Sequence, residues 1–173
     1  MATVSWKRIL KEWIIPFGIE IIVVLLLIKY VFFFVTVPTG SMIPTINEGD
    51  WLFATRVHNP ENLKRGDIVV FDSEELGVTL IKRLVGLPGE KVEVDGTGAV
   101  FINGEKLEEP YVAHPSGLEG SFEVPEGCYL FMGDNRAGSN DARYWEQPYI
   151  PADKIIGHAH FTLFPFTRFG ILK

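Results

Sequence analysis

The chain has 173 residues, enough for one domain with an appended segment. Hydrophobic residues make up 47% of it, concentrated before residue 38, and the remaining 135 or so residues suffice for a core without disulfides. The 16 Lys and Arg against 22 Asp and Glu give a net charge of −6, which argues against a nucleic-acid partner, and the single cysteine, Cys128, excludes an internal disulfide.

Residues 13–28 read WIIPFGIEIIVVLLLI, and apolar character resumes after Lys29 and Tyr30 as VFFFVTV. The stretch is long enough for a bilayer, which needs about 20 mostly apolar residues. We therefore expect a cytoplasmic N-terminus over 1–12, a transmembrane anchor over 13–35 and an extracytoplasmic domain over 36–173. Lys29 can snorkel to an interface, and Trp13 and Tyr30 suit the aromatic belts. Glu20 is the awkward charge: protonated, near an interface, or paired. A buried core helix and a cleaved signal peptide are the other readings. Bulky Phe32, Phe33 and Phe34 stand where a cleavage site would need small residues. Lys7, Arg8 and Lys11 precede the stretch, so the positive-inside rule places the N-terminus inside and the rest outside.

From residue 36 the texture is β. DWLFATRV, DIVVF, VTLIKRLVGL, KVEVDG and CYLFMG are short branched and aromatic runs between Gly, Pro, Asn and Asp. Asn103-Gly104 within VFINGEKL is a strong hairpin signal. The expected fold is an all-β domain of partly open, barrel-like antiparallel sheets behind one transmembrane helix. Residues 135–147 are polar and read as a loop or a short helix. His58 and His114 are scattered, while His158 and His160 alternate along a predicted strand and share a face. Two ligands are too few for a usual zinc site, so no metal or cofactor is expected.

Three segments carry chemistry. In Pro38-Thr39-Gly40-Ser41-Met42-Ile43-Pro44-Thr45, Gly40 permits close approach of a substrate backbone and the two prolines restrict the chain around Ser41. By itself this reads as a turn. A serine needs a base, and no Gly-x-Ser-x-Gly elbow or recognisable His-Asp arrangement is present. Lys82, inside VTLIKRLVG, can serve if an apolar setting keeps its amine neutral. Adjacent Arg83 points to the opposite face of the strand, so one of the two basic residues can be buried while the other is exposed or paired. The plain alternative is an edge-strand charge that blocks aggregation. The third segment, Gly133 to Arg143 (GDNRAGSNDAR), is dense in local hydrogen-bonding and ion-pairing groups, yet names no reaction alone.

As a set, PTGSMIPT after the apolar stretch, GDIVVF at 66–71, IKRLVGLPGE at 81–90 and GDNRAGSNDAR at 133–143 closely resemble the boxes of bacterial type I signal peptidases, in order and spacing. The resemblance implies a serine endopeptidase that removes signal peptides from secreted preproteins after a small-x-small (Ala-x-Ala) motif. By it, Ser41 is the nucleophile, Lys82 the general base and Ser139 the serine that orients the lysine. Thr39 supplies an oxyanion-hole hydroxyl beside the Ser41 backbone N–H. Arg83 with Asp134, and Asp141 with Arg143, would hold the loops, and Ile43 would help line shallow pockets for small side chains. Ala142 departs from the serine often found there, and the large inserted β-region of some relatives is absent or much reduced. The implied setting is the bacterial cell membrane, single-pass, in contact with the lipid bilayer and transiently near the secretion translocon. Two other readings stay open: a repressor-type Ser-Lys protease, which would carry a DNA-binding domain instead of an anchor, and a tethered β-domain that only binds peptides.

Overall fold

The structure, a computed structural model, describes residue 6 and residues 10–173; Lys7 and Arg8, two of the three charges behind the topology expectation, lie outside the described residues. The chain divides into two compact units, Met1–Phe33 and Phe34–Lys173.

In the first unit a π-helical segment, Leu10–Ile14, runs directly into helix α1, Ile15–Tyr30. Pro16 sits in the first turn of α1. Within these 21 residues an 18-residue stretch has a mean hydropathy of 2.1, and none of it is buried. At 1.5 Å per residue the 21 residues extend about 31 Å, the thickness of a bilayer hydrocarbon core. The helix stops short of the expected limit at residue 35. Phe32–Thr36 is instead strand β1, the first of its sheet. Three phenylalanines followed by Val35 and Thr36 are strong strand formers.

The second unit is built of strands β2 Trp51–Arg56, β3 Ile68–Ser73, β4 Val78–Gly86, β5 Lys91–Val94, β6 Val100–Ile102, β7 Glu105–Lys106, β8 Gly120–Glu123, β9 Cys128–Met132, β10 Tyr149–Pro151, β11 Ile155–Phe164 and β12 Gly170–Ile171. The larger sheet runs β1-β2-β11-β3-β4-β9-β10, with β12 on β11; the smaller runs β7-β6-β5-β8. All-β architecture with one apolar N-terminal helix is thus the fold. Asn103 and Gly104 both take positive φ, 51° and 87°, the geometry of a tight two-residue hairpin between β6 and β7. Residues 135–147 form turns and bends without a helix. Their side chains draw the local backbone away from helical bonding: Asn135 Oδ1 accepts from the Gly138 N–H, and Asp141 Oδ2 from the Gly133 N–H.

The core lies where β3, β4 and β9 pair. Phe71 and Phe131 stack at 4.4 Å with Trp145 edge-on to Phe71, and Leu84, Val85 and Leu130 complete the packing. Each such buried side chain stabilises by about 1.5–3 kcal/mol. This makes β4 a rigid central strand, and Lys82 and Arg83 ride on it.

Candidate active site

Ser41 stands in a turn whose rigidity comes from its neighbours. Met42 and Ile46 are wholly buried, and the Ile46 N–H donates to the Met42 carbonyl. Gly40 lies so close to Ile43 that an added Cβ would come within 2.8 Å of Ile43 Cδ1. Buried Asp50 closes the far end, accepting from the Asn47 N–H and from Arg168. Ser41 is left 6% exposed, its hydroxyl 3.4 Å from Thr39 Oγ1.

Lys82 reaches that hydroxyl from the central strand: Lys82 Nζ donates to Ser41 Oγ at 2.5 Å, and Lys82 is 3% exposed. Burial is the dominant influence on its amine. Asp141 and then Asp134 pull the other way, favouring the ammonium, but burial wins and brings the pKa from 10.5 down to about 8. Arg83 is buried as well, so the alternation of faces along β4 does not leave either basic residue in water. The two differ in what they meet. Arg83 finds a carboxylate: its Nε and Nη2 donate to Asp134 at 2.7 and 2.6 Å, and Nη1 donates to the Gly66 carbonyl. Lys82 meets a hydroxyl instead.

The loop after β9 wraps this pair. Asp134 also accepts from the Thr45 hydroxyl at 2.5 Å, and the Asn135 N–H donates to the Ser41 carbonyl at 3.1 Å. Asn135 Nδ2 donates to the Gly40 carbonyl, so one residue clamps the Ser41 turn at two points. Asp141 accepts Arg143 Nε and Nη2 at 2.8 and 2.9 Å, and both side chains are essentially inaccessible. Ser139 is buried, and among the described residues its Oγ has no hydrogen-bond partner, Lys82 included. Thr39 is exposed, with Oγ1 3.4 Å from Ser41 Oγ. Ile43 is half-buried beside Gly40. The chain thus brings Ser41, Lys82, Thr39, Asp134 and Arg83 into one connected site, with Asp141, Arg143 and Ser139 on the loop behind.

Sequence alone does not single out several of the supports, Thr45, Asn135 and Arg136 among them. Arg136 is 1% exposed and forms a bidentate pair with Glu109, which comes from the far end of the small-sheet hairpin. No local signal marks Glu109: Glu108 precedes it with the same chemistry, and only the fold chooses between them. Elsewhere, the His158 and His160 rings lie 4.2 Å apart on β11. His158 Nε2 is 3.7 Å from Asp67, and His160 Nε2 is hydrogen-bonded to the Thr55 hydroxyl. Burial, then His158, pushes the His160 pKa below its ordinary value.

Residues 10–164 match the family described as signal peptidase, peptidase S26. The chain is 38% identical over 184 residues to a probable signal peptidase I-1 of Synechocystis sp., covering 96% of this chain and 88% of that protein. It is 37% identical over 175 residues to a signal peptidase I of Bacillus licheniformis, covering 94% and 92%. Among solved structures, a signal peptidase I from Enterococcus faecalis shares 32% identity at a TM-score of 0.50, over 56% of this chain and 96% of that one.

Proposed function

The chain belongs to the signal peptidase family, peptidase S26, and from that premise we propose that it cleaves signal peptides from preproteins by a Ser41–Lys82 dyad. It is a serine endopeptidase of the type I signal peptidase class. The observation that carries the mechanism is the 2.5 Å contact between a buried lysine amine and a serine hydroxyl. Neutral Lys82 takes the Ser41 proton as Oγ attacks the scissile carbonyl carbon. The oxyanion is met by the Ser41 N–H and the Thr39 hydroxyl. The ammonium then returns its proton to the leaving amine, which leaves an acyl ester on Ser41. Lys82, neutral again, activates the water that hydrolyses it. Ser139, buried with an uncommitted hydroxyl, is the residue we assign to orienting the amine, by turning that hydroxyl toward it. The pairs Arg83–Asp134 and Asp141–Arg143 hold the two loops. Ile43 lines the pocket that restricts the cleavage motif to small side chains.

The test is to incubate detergent-solubilised protein with a preprotein and sequence the new N-terminus, expected after a small-x-small motif. In the same assay Ser41→Ala removes one hydroxyl from a well-anchored turn, so a folded but inactive protein is expected. Thr39→Val is expected to lower kcat while leaving KM near its starting value, since an oxyanion donor acts in the transition state. Cleavage by Ser41→Ala at the unaltered rate would sink the dyad.

We place Leu10–Tyr30 across the cell membrane, with the catalytic unit on the extracytoplasmic face beside the secretion translocon. Length and hydropathy support the span. The catalytic unit also exposes Phe34, Trp51, Phe164, Phe166 and Phe169, apolar surface suited to a bilayer interface. Protease added to spheroplasts is expected to digest the catalytic unit and spare a tag at residue 1. Protection of both ends would overturn this orientation.

A further inference from the structure

We propose that Glu109 and Tyr111 are positioning residues for the reaction, holding the Ser41–Lys82 site through Arg136 and Arg83; this rests on the dyad reading above. Both lie on a strap that leaves the small sheet at Leu107, whose N–H donates to the Val100 carbonyl. The strap ends on the catalytic loop, where the Ala137 N–H donates to the His114 carbonyl.

Between those points the strap meets two buried guanidinium groups. The Glu109 carboxylate accepts Arg136 Nη1 at 3.0 Å, Arg136 Nη2 at 2.5 Å and the Tyr111 hydroxyl at 2.9 Å. The Tyr111 ring lies under the Arg83 guanidinium, 3.8 Å from its central carbon. Arg83 is the neighbour of Lys82 on β4 and the partner of Asp134. A buried guanidinium is costly unless paired, so its place follows that of its carboxylate.

Arg136 passes that placement to the reacting atoms. Its Nε donates to the Gly133 carbonyl at 2.9 Å, while the Gly133 N–H is held by Asp141 at 2.9 Å. Gly133 is pressed against the site itself: a Cβ built on it would lie 2.4 Å from the Ser41 carbonyl oxygen and 2.3 Å from Ser139 Oγ. Fixing Glu109 therefore fixes Arg136, then the Gly133 peptide, then the backbone of the nucleophile. Tyr111 ties the same strap to the strand that carries the base.

The experiment measures kcat, KM and the pH profile of preprotein cleavage by the full chain in detergent, with thermal unfolding alongside. Glu109→Gln and Tyr111→Leu are each expected to lower kcat about 10- to 100-fold, the cost of a reacting group displaced by about an ångström, with KM within about threefold. The acid limb is expected to move to higher pH. Looser packing hydrates Lys82 and weakens the burial that depresses it, while Asp134 and Asp141, the carboxylates acting on it, still favour the ammonium. The double replacement Glu109→Leu with Arg136→Met fills the space without a charge, so it is expected to fold and still be slow, because nothing then holds the Gly133 carbonyl. Wild-type kcat with an unmoved acid limb in a folded Glu109→Gln or in the double variant overturns the proposal. A Ser41→Ala control run in parallel separates the cases: its activity would overturn the dyad, and its inactivity beside a fully active Glu109 variant would overturn only the strap.

Discussion

Replacing Lys82 with arginine is expected to lower preprotein cleavage at least about a thousandfold across pH 6 to 10, the range of a lost general base. A guanidinium stays protonated throughout that range and cannot accept the Ser41 proton. Lys82→Met keeps the bulk of the side chain and is expected to be equally inactive. The unaltered enzyme supplies the sign of its own pH dependence. With the amine at about 8, roughly one molecule in ten carries neutral Lys82 at pH 7, against roughly one in three thousand for an amine at 10.5. The net shift thus raises the reactive fraction about three-hundredfold, after Asp141 and Asp134 have offset part of the effect of burial. Cleavage is expected to rise with pH along one ionisation centred near 8 and level above it, measured as kcat/KM on a soluble preprotein. Substantial activity in Lys82→Arg, or a flat profile between pH 6 and 9, would remove lysine from the role of base.

The second large effect is expected at Gly133, where a methyl group has no room. Its Cβ would fall 2.3 Å from Ser139 Oγ, 2.4 Å from the Ser41 carbonyl oxygen and 2.6 Å from Ser139 Cβ. One of these contacts is backbone of the Ser41 turn, which Met42, Ile46 and Asn135 hold in place. The turn or the loop after β9 must therefore move. Gly133→Ala is expected to cost about a hundredfold or more in kcat and about 1–3 kcal/mol in stability, the usual range for overpacking. Single-turnover kinetics and thermal unfolding check both quantities. A Gly133→Ala protein with unaltered kcat would mean that the close packing around Ser41 has no part in catalysis.

Local features are legible in the sequence. The strand runs from Trp51, Ile68, Val78, Lys91 and Cys128, and the Asn103-Gly104 hairpin, depend on side chains adjacent in the chain and on positive φ at one dipeptide. Ser41 and Lys82 are picked out by the resemblance of their boxes, in order and spacing, to those of type I signal peptidases. Even local reading fails at Phe32 to Phe34. Their hydrophobicity suits a membrane helix, while their β-propensity suits a strand, and pairing within the sheet decides it.

The class of fold, the apolar segment and the residue types for the chemistry therefore follow from the order of amino acids. Which of two adjacent basic residues meets a hydroxyl and which a carboxylate does not, since Ser41 lies 41 residues from Lys82 and Asp134 lies 51 residues from Arg83. Folding also selects Glu109 rather than Glu108 as the partner of Arg136, and buries the Ser139 hydroxyl without a partner among the described residues. Burial and ion pairing are sums over neighbours distant in the chain, and a lysine becomes a base only when that sum removes its water.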